Sequence, residues 1–239
     1  MHKRVATDRK SNMNIAREDK KMKITENKTT KALRKYLSIN SRKGDKKAYR
    51  QRQICGYANK SGESWSLEYL INDYYNLNDY VGGGSDKKCY YKQGDIFCIA
   101  RAYNSWYSNQ VKTQIERWEK YADTEYSDVL NPIYRAGLHR GDKLSDDDDR
   151  YLQKSYIISQ YAIMDDKIPS EYNIYEYALI LNHYSGDIKE QAKQDKNRLE
   201  YIANNVIYCY DVDSANIGII YDYEKRKYKV VLIDYGAQF

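Results

Sequence analysis

The chain has 239 residues with 40 Lys/Arg against 34 Asp/Glu, a formal net charge of +6, and tyrosine supplies its aromatic content (28 Tyr against 2 Phe and 3 Trp). That length can bury a real core, as one domain of roughly 150–200 residues plus an extension, with many phenol hydroxyls that must reach water or a partner. The cysteines at 55, 89, 98 and 209 have no C-x-x-C spacing and no His at metal spacing, which argues against a zinc site and a disulfide frame; no apolar run has the length of a membrane span and no hydrophobic signal core opens the chain, so a cytoplasmic protein without membrane contact is expected.

Charge is uneven. Residues 1–50 hold 17 Lys/Arg and 5 Asp/Glu, a net of +12, so the other 189 residues carry −6. Residues 1–51 therefore read as a basic extension whose sparse apolar residues (Ile24, Leu33, Tyr36, Leu37) cannot offset the entropy of ordering it, so disorder is expected. The functional alternative is a basic arm making weak nucleic-acid contacts through phosphates. Residues 52–78 form a helical lead-in, in which Trp65, Leu67, Leu70, Ile71 and Tyr74 recur at helical spacing.

From residue 79 the pattern changes. D-Y-V-G-G-G at 79–84 is followed by Ser85, an apolar run at 88–91, a polar turn at 93–95 and a second apolar run at 96–102, which reads as strand, glycine turn, strand, turn, strand. Gly82, Gly83, Gly84 and Ser85 would let backbone N–H groups approach phosphate oxygens. An amphipathic helix is predicted at 110–121, with Val111, Ile115, Trp118 and Tyr121 on one face. Residues 130–134 enter a short strand at Pro132, residues 141–150 with four consecutive aspartates read as an acidic loop, and 151–162 reads as a further strand.

After Pro169, an apolar helix begins at 174–181, with His183 as a surface or capping residue at its end. A second amphipathic helix carries Ile188, Ala192, Leu199, Ile202 and Val206 towards Asp211. Two β-type runs, 217–221 and 228–233, then flank a polar turn and make a hairpin. Closing it brings Asn216 and Asp234 to one edge, near Asp211. Two oxygen ligands and a carboxylate there suit a hard cation such as Mg²⁺, shared with a phosphate chain.

D-x-x-x-x-N from Asp211 to Asn216, a hairpin, then an apolar run ending in D-Y-G at 234–236 resembles the catalytic core of the protein-kinase-like superfamily, with Cys209 and Tyr235 where the family has His and Phe. The element order over 79–236 is similar to that of small kinase-like proteins of bacteriophages and of antibiotic phosphotransferases. The resemblance implies an α+β, two-lobed fold: a small antiparallel-sheet N-lobe at 79–162 and a short, truncated helical C-lobe at 163–239. It also implies ATP and Mg²⁺ as cofactors, Asp211 as the catalytic residue, and Asn216 and Asp234 as metal ligands. The glycine turn would cover the phosphates, and backbone groups at Gln160 to Ala162 would hydrogen-bond adenine. The third strand holds no lysine, so Arg101 is the nearest cation for the phosphates, with Ala100 the position in the other register. Glu116 is its expected partner on the helix, and Gln114 competes if the register differs.

Three functions follow as expectations. One is an ATP- and Mg²⁺-dependent phosphotransferase acting on an unknown hydroxyl acceptor. Another is a catalytically weak, pseudokinase-like module that holds a protein partner through the fold and the basic extension. The third is a nucleic-acid-associated protein acting through residues 1–51.

Overall fold

The computed structural model describes residues 20–56, 80–82, 87–102, 108–145, 148–210, 212–213 and 215–236. The helix expected around residues 65–74, and Gly83, Gly84, Ser85 and Asp211, lie outside them. The chain is mixed α+β. A six-stranded antiparallel sheet is built from β1 (Lys20–Met22), β2 (Tyr80–Gly82), β3 (Lys87–Tyr91), β4 (Phe97–Ala102), β5 (Ile133–Ser145) and β6 (Asp148–Gln160), in the spatial order β1-β5-β6-β4-β3-β2. A separate hairpin pairs β7 (Ile217–Asp222) with β8 (Lys227–Leu232).

The described α-helices are α1 (Lys28–Arg42), α2 (Lys46–Ile54), α3 (Ser108–Tyr121), α4 (Ile174–Leu181) and α5 (Ile188–Ile202). None of them is long and apolar enough to cross a membrane. Their starts are chemically marked. Asn27 caps α1 by accepting from the Thr30 N–H, Asp45 caps α2 at Ala48, Asp187 caps α5, and Asn173 and Glu176 form a reciprocal capping box on α4.

The two faces of the sheet are covered differently. Val111, Ile115 and Trp118 of α3 pack on Ala100, Ala102, Ala136 and Ile157, and this core runs on through Leu130 to Ile174, Leu199, Ile219, Leu232 and Tyr235. Helices α4 and α5, the hairpin and α3 thus share one apolar body. On the other face, Leu33, Leu37 and Ile54 of α1 and α2 pack on Tyr90, Phe97, Ile99, Tyr134, Tyr156 and Ile158.

This second layer overturns the expectation of disorder for the basic extension over residues 28–51. Its apolar residues are few, but Leu33, Leu37 and Ile54 are fully buried, each contributing about 1.5–3 kcal/mol on burial. The partner surface is a sheet face formed by residues between Tyr90 and Ile158, which a local count of apolar residues cannot register. Polar links hold the layer as well: Arg34 donates to the Tyr134 carbonyl at 2.7 Å, and the Trp118 indole N–H to the Thr25 carbonyl at 3.1 Å. The acidic loop expected at 141–150 is also corrected. β5 and β6 continue as a long hairpin as far as Ser145 opposite Asp148, because a ladder's backbone hydrogen bonds do not require apolar side chains.

Candidate functional site

The hairpin ends where the pattern predicted. Ile217 lies opposite Leu232, and the Ile233 N–H donates to the Asn216 carbonyl at 2.8 Å, so Asn216 and Asp234 flank the same open end. Asn216 is set by a turn in which the Asp213 carboxylate accepts the N–H groups of Ala215 and Asn216 at 2.9 and 3.1 Å. The Asp234 carboxylate accepts from the Gly236 N–H at 3.2 Å.

The cation beside Asp234 is Lys87. Its Nζ lies 2.7 Å from Asp234 Oδ2 and 2.9 Å from Gln114 Oε1. The Gln114 Nε2 in turn donates to the Ile233 carbonyl at 3.0 Å, so a single amide joins the sheet lysine to the hairpin's exit. Strand geometry explains the assignment. Lys87 sits opposite Ala102 and Lys88 opposite Arg101, and directly opposed residues share a face. Ala100 and Ala102 belong to the α3-side core, so Lys87 points to that side while Arg101 takes the other. Two alanines leave room on β4, and a lysine from the neighbouring strand fills it.

Arg101 and Glu116 are therefore not the charged pair of the site. Glu116 is exposed, whereas Gln114 is 1% exposed; two residues apart on a helix means nearly opposite directions. The resulting triad holds one positive charge, one negative charge and one neutral amide. Burial alone would push the Asp234 carboxyl up, but the Lys87 ammonium, with the Gly236 amide and Arg117, pulls it below the ordinary aspartate value.

The chain on either side is pinned to α3. Gly236 passes so close that an added Cβ would meet the Gln110 carbonyl oxygen, so this position requires glycine. Arg117 donates to the carbonyls of Tyr235 and, at 2.9 Å, of Tyr208, tying the exit of the hairpin to the segment that leads into residue 211. Tyr235 is fully buried, its hydroxyl donating to the Asn131 carbonyl at 2.9 Å, and burial pushes the phenol far up. The Cys209 thiol, also buried, lies 3.8 Å from the Asp234 carbonyl oxygen, a weak donor contact. Lys87 and Arg117 are thus the site residues that motif reading did not assign, while Gln114, the alternative there to Glu116, takes the helix position; the signal available for Lys87 was its period-2 spacing with Cys89, whose side chain packs on the α3-side core.

The remaining positions divide. Gly82 ends β2 across from Cys89, next to the residues of the glycine turn. Gln160 is a structural latch: its carbonyl accepts from Asn131 at 2.8 Å and its side-chain amide donates to the Tyr221 carbonyl at 2.9 Å. Ala162 is buried against Gly218, where an added Cβ would come within 2.6 Å of the alanine methyl, and no partner for its own N–H or carbonyl occurs among the described residues. Ile163 on its far side is fully paired with Ile219 at 2.9 Å in both directions. Burial raises the Cys89 thiol, and burial with the neighbouring Cys89 pushes Cys98 up to about 12, so both stay protonated at neutral pH and are not nucleophiles.

Among the described residues no group of three or more His, Cys, Asp and Glu is placed to hold a metal ion. The donors present are the oxygens of Asp234 and Asn216, hard ligands of the kind Mg²⁺ takes, and the Asp234 side chain is 25% exposed and so reachable. No protein-family model matches the chain, and no curated protein matches it.

Proposed function

We propose that the chain is a kinase-like protein that binds ATP with Mg²⁺ between the sheet and the hairpin and transfers its terminal phosphoryl group to a hydroxyl. The observation that carries this reading is the 2.7 Å contact of Lys87 with Asp234 under α3. In the protein-kinase-like superfamily a sheet lysine reaches the phosphates, a helix glutamate holds that lysine, and the aspartate of the D-[FY]-G motif with an upstream asparagine holds Mg²⁺. Here Lys87, Gln114 and Asp234 would take those parts, with Asn216 at the same end of the hairpin, and the lysine comes from β3 instead of β4. The glycine-rich stretch that the motif reading assigns to the phosphates precedes β3 in the sequence, and Lys87 opens that strand. The Ala162 backbone, without a hydrogen-bond partner among the described residues and buried beside β7, would be the edge for a purine. When bound, Mg²⁺ would neutralise phosphate charge between Asn216 and Asp234. Lys87 would then exchange its contact with Asp234 for phosphate oxygens, Gln114 would keep its direction, and Asp211 would align the acceptor hydroxyl.

A second reading, a nucleotide-binding module without turnover, is favoured by Gln114. A neutral amide holds Lys87 with a hydrogen bond but without the charge that a glutamate would add. The decisive experiment is thermal unfolding with ATP and Mg²⁺ for wild type, Asp234→Ala and Lys87→Met. Wild type should gain about 5–10 °C at a hundredfold excess over Kd, only with Mg²⁺, and both variants should lose the gain. No gain at millimolar ATP refutes both readings. With binding in hand, Asp211→Ala separates them: loss of a measurable phosphoryl transfer with binding intact supports the enzyme, and absence of transfer in wild type supports the module.

A further inference from the structure

We propose that the sheet face covered by α1 and α2 carries a second site, for a small oxyanion, built on Arg135. The residue is 4% exposed, and its Nε, Nη1 and Nη2 are all buried without a hydrogen-bond partner among the described residues. The contact that fixes the group is apolar on one side: the guanidinium lies over the Tyr156 ring, 5.8 Å from its centroid. A guanidinium carries five N–H donors in a rigid fork matched to carboxylate and phosphate, and burying it without an acceptor costs several kcal/mol. An anion supplied from solution removes that penalty.

The surroundings favour a negative guest. Tyr156 lies opposite Arg101 on β4, and Arg101 opposite Lys88 on β3, so two further cations follow the aromatic ring across the same face. The Arg101 Nε is itself buried without a hydrogen-bond partner among the described residues. Both side chains are half-exposed, so the row is open to solvent on the β3 side and closed at Arg135. On the partner strand Gly137, opposite Tyr156, adds no side chain to the row. The covering segment 28–54 brings ten lysines and arginines against one aspartate. Two acids near it are already engaged, Glu26 by Arg34 and Asp95 by Arg50. Field and donor geometry both select a phosphate- or carboxylate-type oxyanion.

The test uses the full chain and two probes, inorganic phosphate and acetate, titrated calorimetrically at matched ionic strength. Saturable binding of one of them to wild type is expected; its absence for both at millimolar concentration overturns the proposal, and the probe that binds identifies the anion class. Lys87→Met, which removes the cation of the cleft, should bind the anion as wild type does, whereas loss of binding there would move the anion to the cleft and overturn the outer site. Arg135→Met should weaken binding at least tenfold while unfolding in chloride at the same or a higher temperature, because it removes an unmatched buried charge. Unchanged binding in Arg135→Met, or a large drop in its stability in chloride, overturns the assignment, the latter because the chain itself would then be supplying the acceptor.

Discussion

Gln114 is the residue on which the cleft turns. Its carbonyl oxygen takes Lys87 and its amide nitrogen reaches the Ile233 carbonyl, so one neutral side chain aligns a cation on the sheet with the backbone that positions Asp234. Gln114→Leu keeps the size but leaves the Ile233 carbonyl without its donor and Lys87 with Asp234 as its remaining partner. An unmet buried group costs about 1–3 kcal/mol, and a loss near 2 kcal/mol corresponds to about 4–8 °C of Tm in a chain of this size. Calorimetric unfolding without nucleotide measures it, and a change below one degree would mean that the amide is not holding the pair. Motif reading placed this role at Glu116 or Gln114 without choosing, because helical phase is known only relative to the face that packs. Once Val111, Ile115 and Trp118 are seen against the sheet, residue 114 falls inside and 116 outside.

At the scale of elements, what was legible in the sequence was whatever depends on neighbours in the chain. The hairpin of β7 and β8 has its polar turn and two β-type runs within sixteen residues, and α3 has a clean apolar stripe; both are where the pattern put them. The lysine of the site was missed for the opposite reason. Strand order assigns the role to β4, but the face is set by pairing, and Lys87 takes it from across the ladder. α1 and α2 were missed because their few apolar residues gain nothing until a distant sheet exists. Leu37 is fully buried in that layer, so Leu37→Ala should lower the unfolding free energy by about 2–5 kcal/mol in urea. A dispensable extension would show no loss at all.

Across the whole molecule, a cluster of charges joins parts that are far apart in sequence. Asp128, in the short 3-10 helix Glu125–Val129, contacts Lys225 at 2.5 Å and Lys229 at 3.5 Å on the hairpin, and Arg198 on α5 at 4.0 Å. Burial would raise its carboxyl, but the three cations together hold it below the ordinary value. A depressed folded-state pKa contributes stability that is complete above the unfolded value near 4 and is lost as pH falls through the folded one. Acid unfolding monitored by circular dichroism should therefore begin below about pH 4, and Asp128→Asn should flatten the Tm-versus-pH curve there while lowering Tm at neutral pH. An identical slope in the variant would show that the cluster is only superficial. The same distribution corrects the picture of a basic tail on an acidic domain: the positive charge of residues 28–54 is layered onto the sheet as a permanent coat.

Gly236 gives the cleft a mechanical property of its own. Because an added Cβ would reach within 2.3 Å of the Gln110 carbonyl oxygen, even a methyl group at this position has to push α3 and the exit of the hairpin apart. That displacement carries Gln114 away from Lys87 with every charged and polar side chain still in place. The missing side chain thus works as a spacer gauge: the helix closes to working depth only over bare backbone, and the lysine can be disengaged by a change of one carbon that alters no electrostatics.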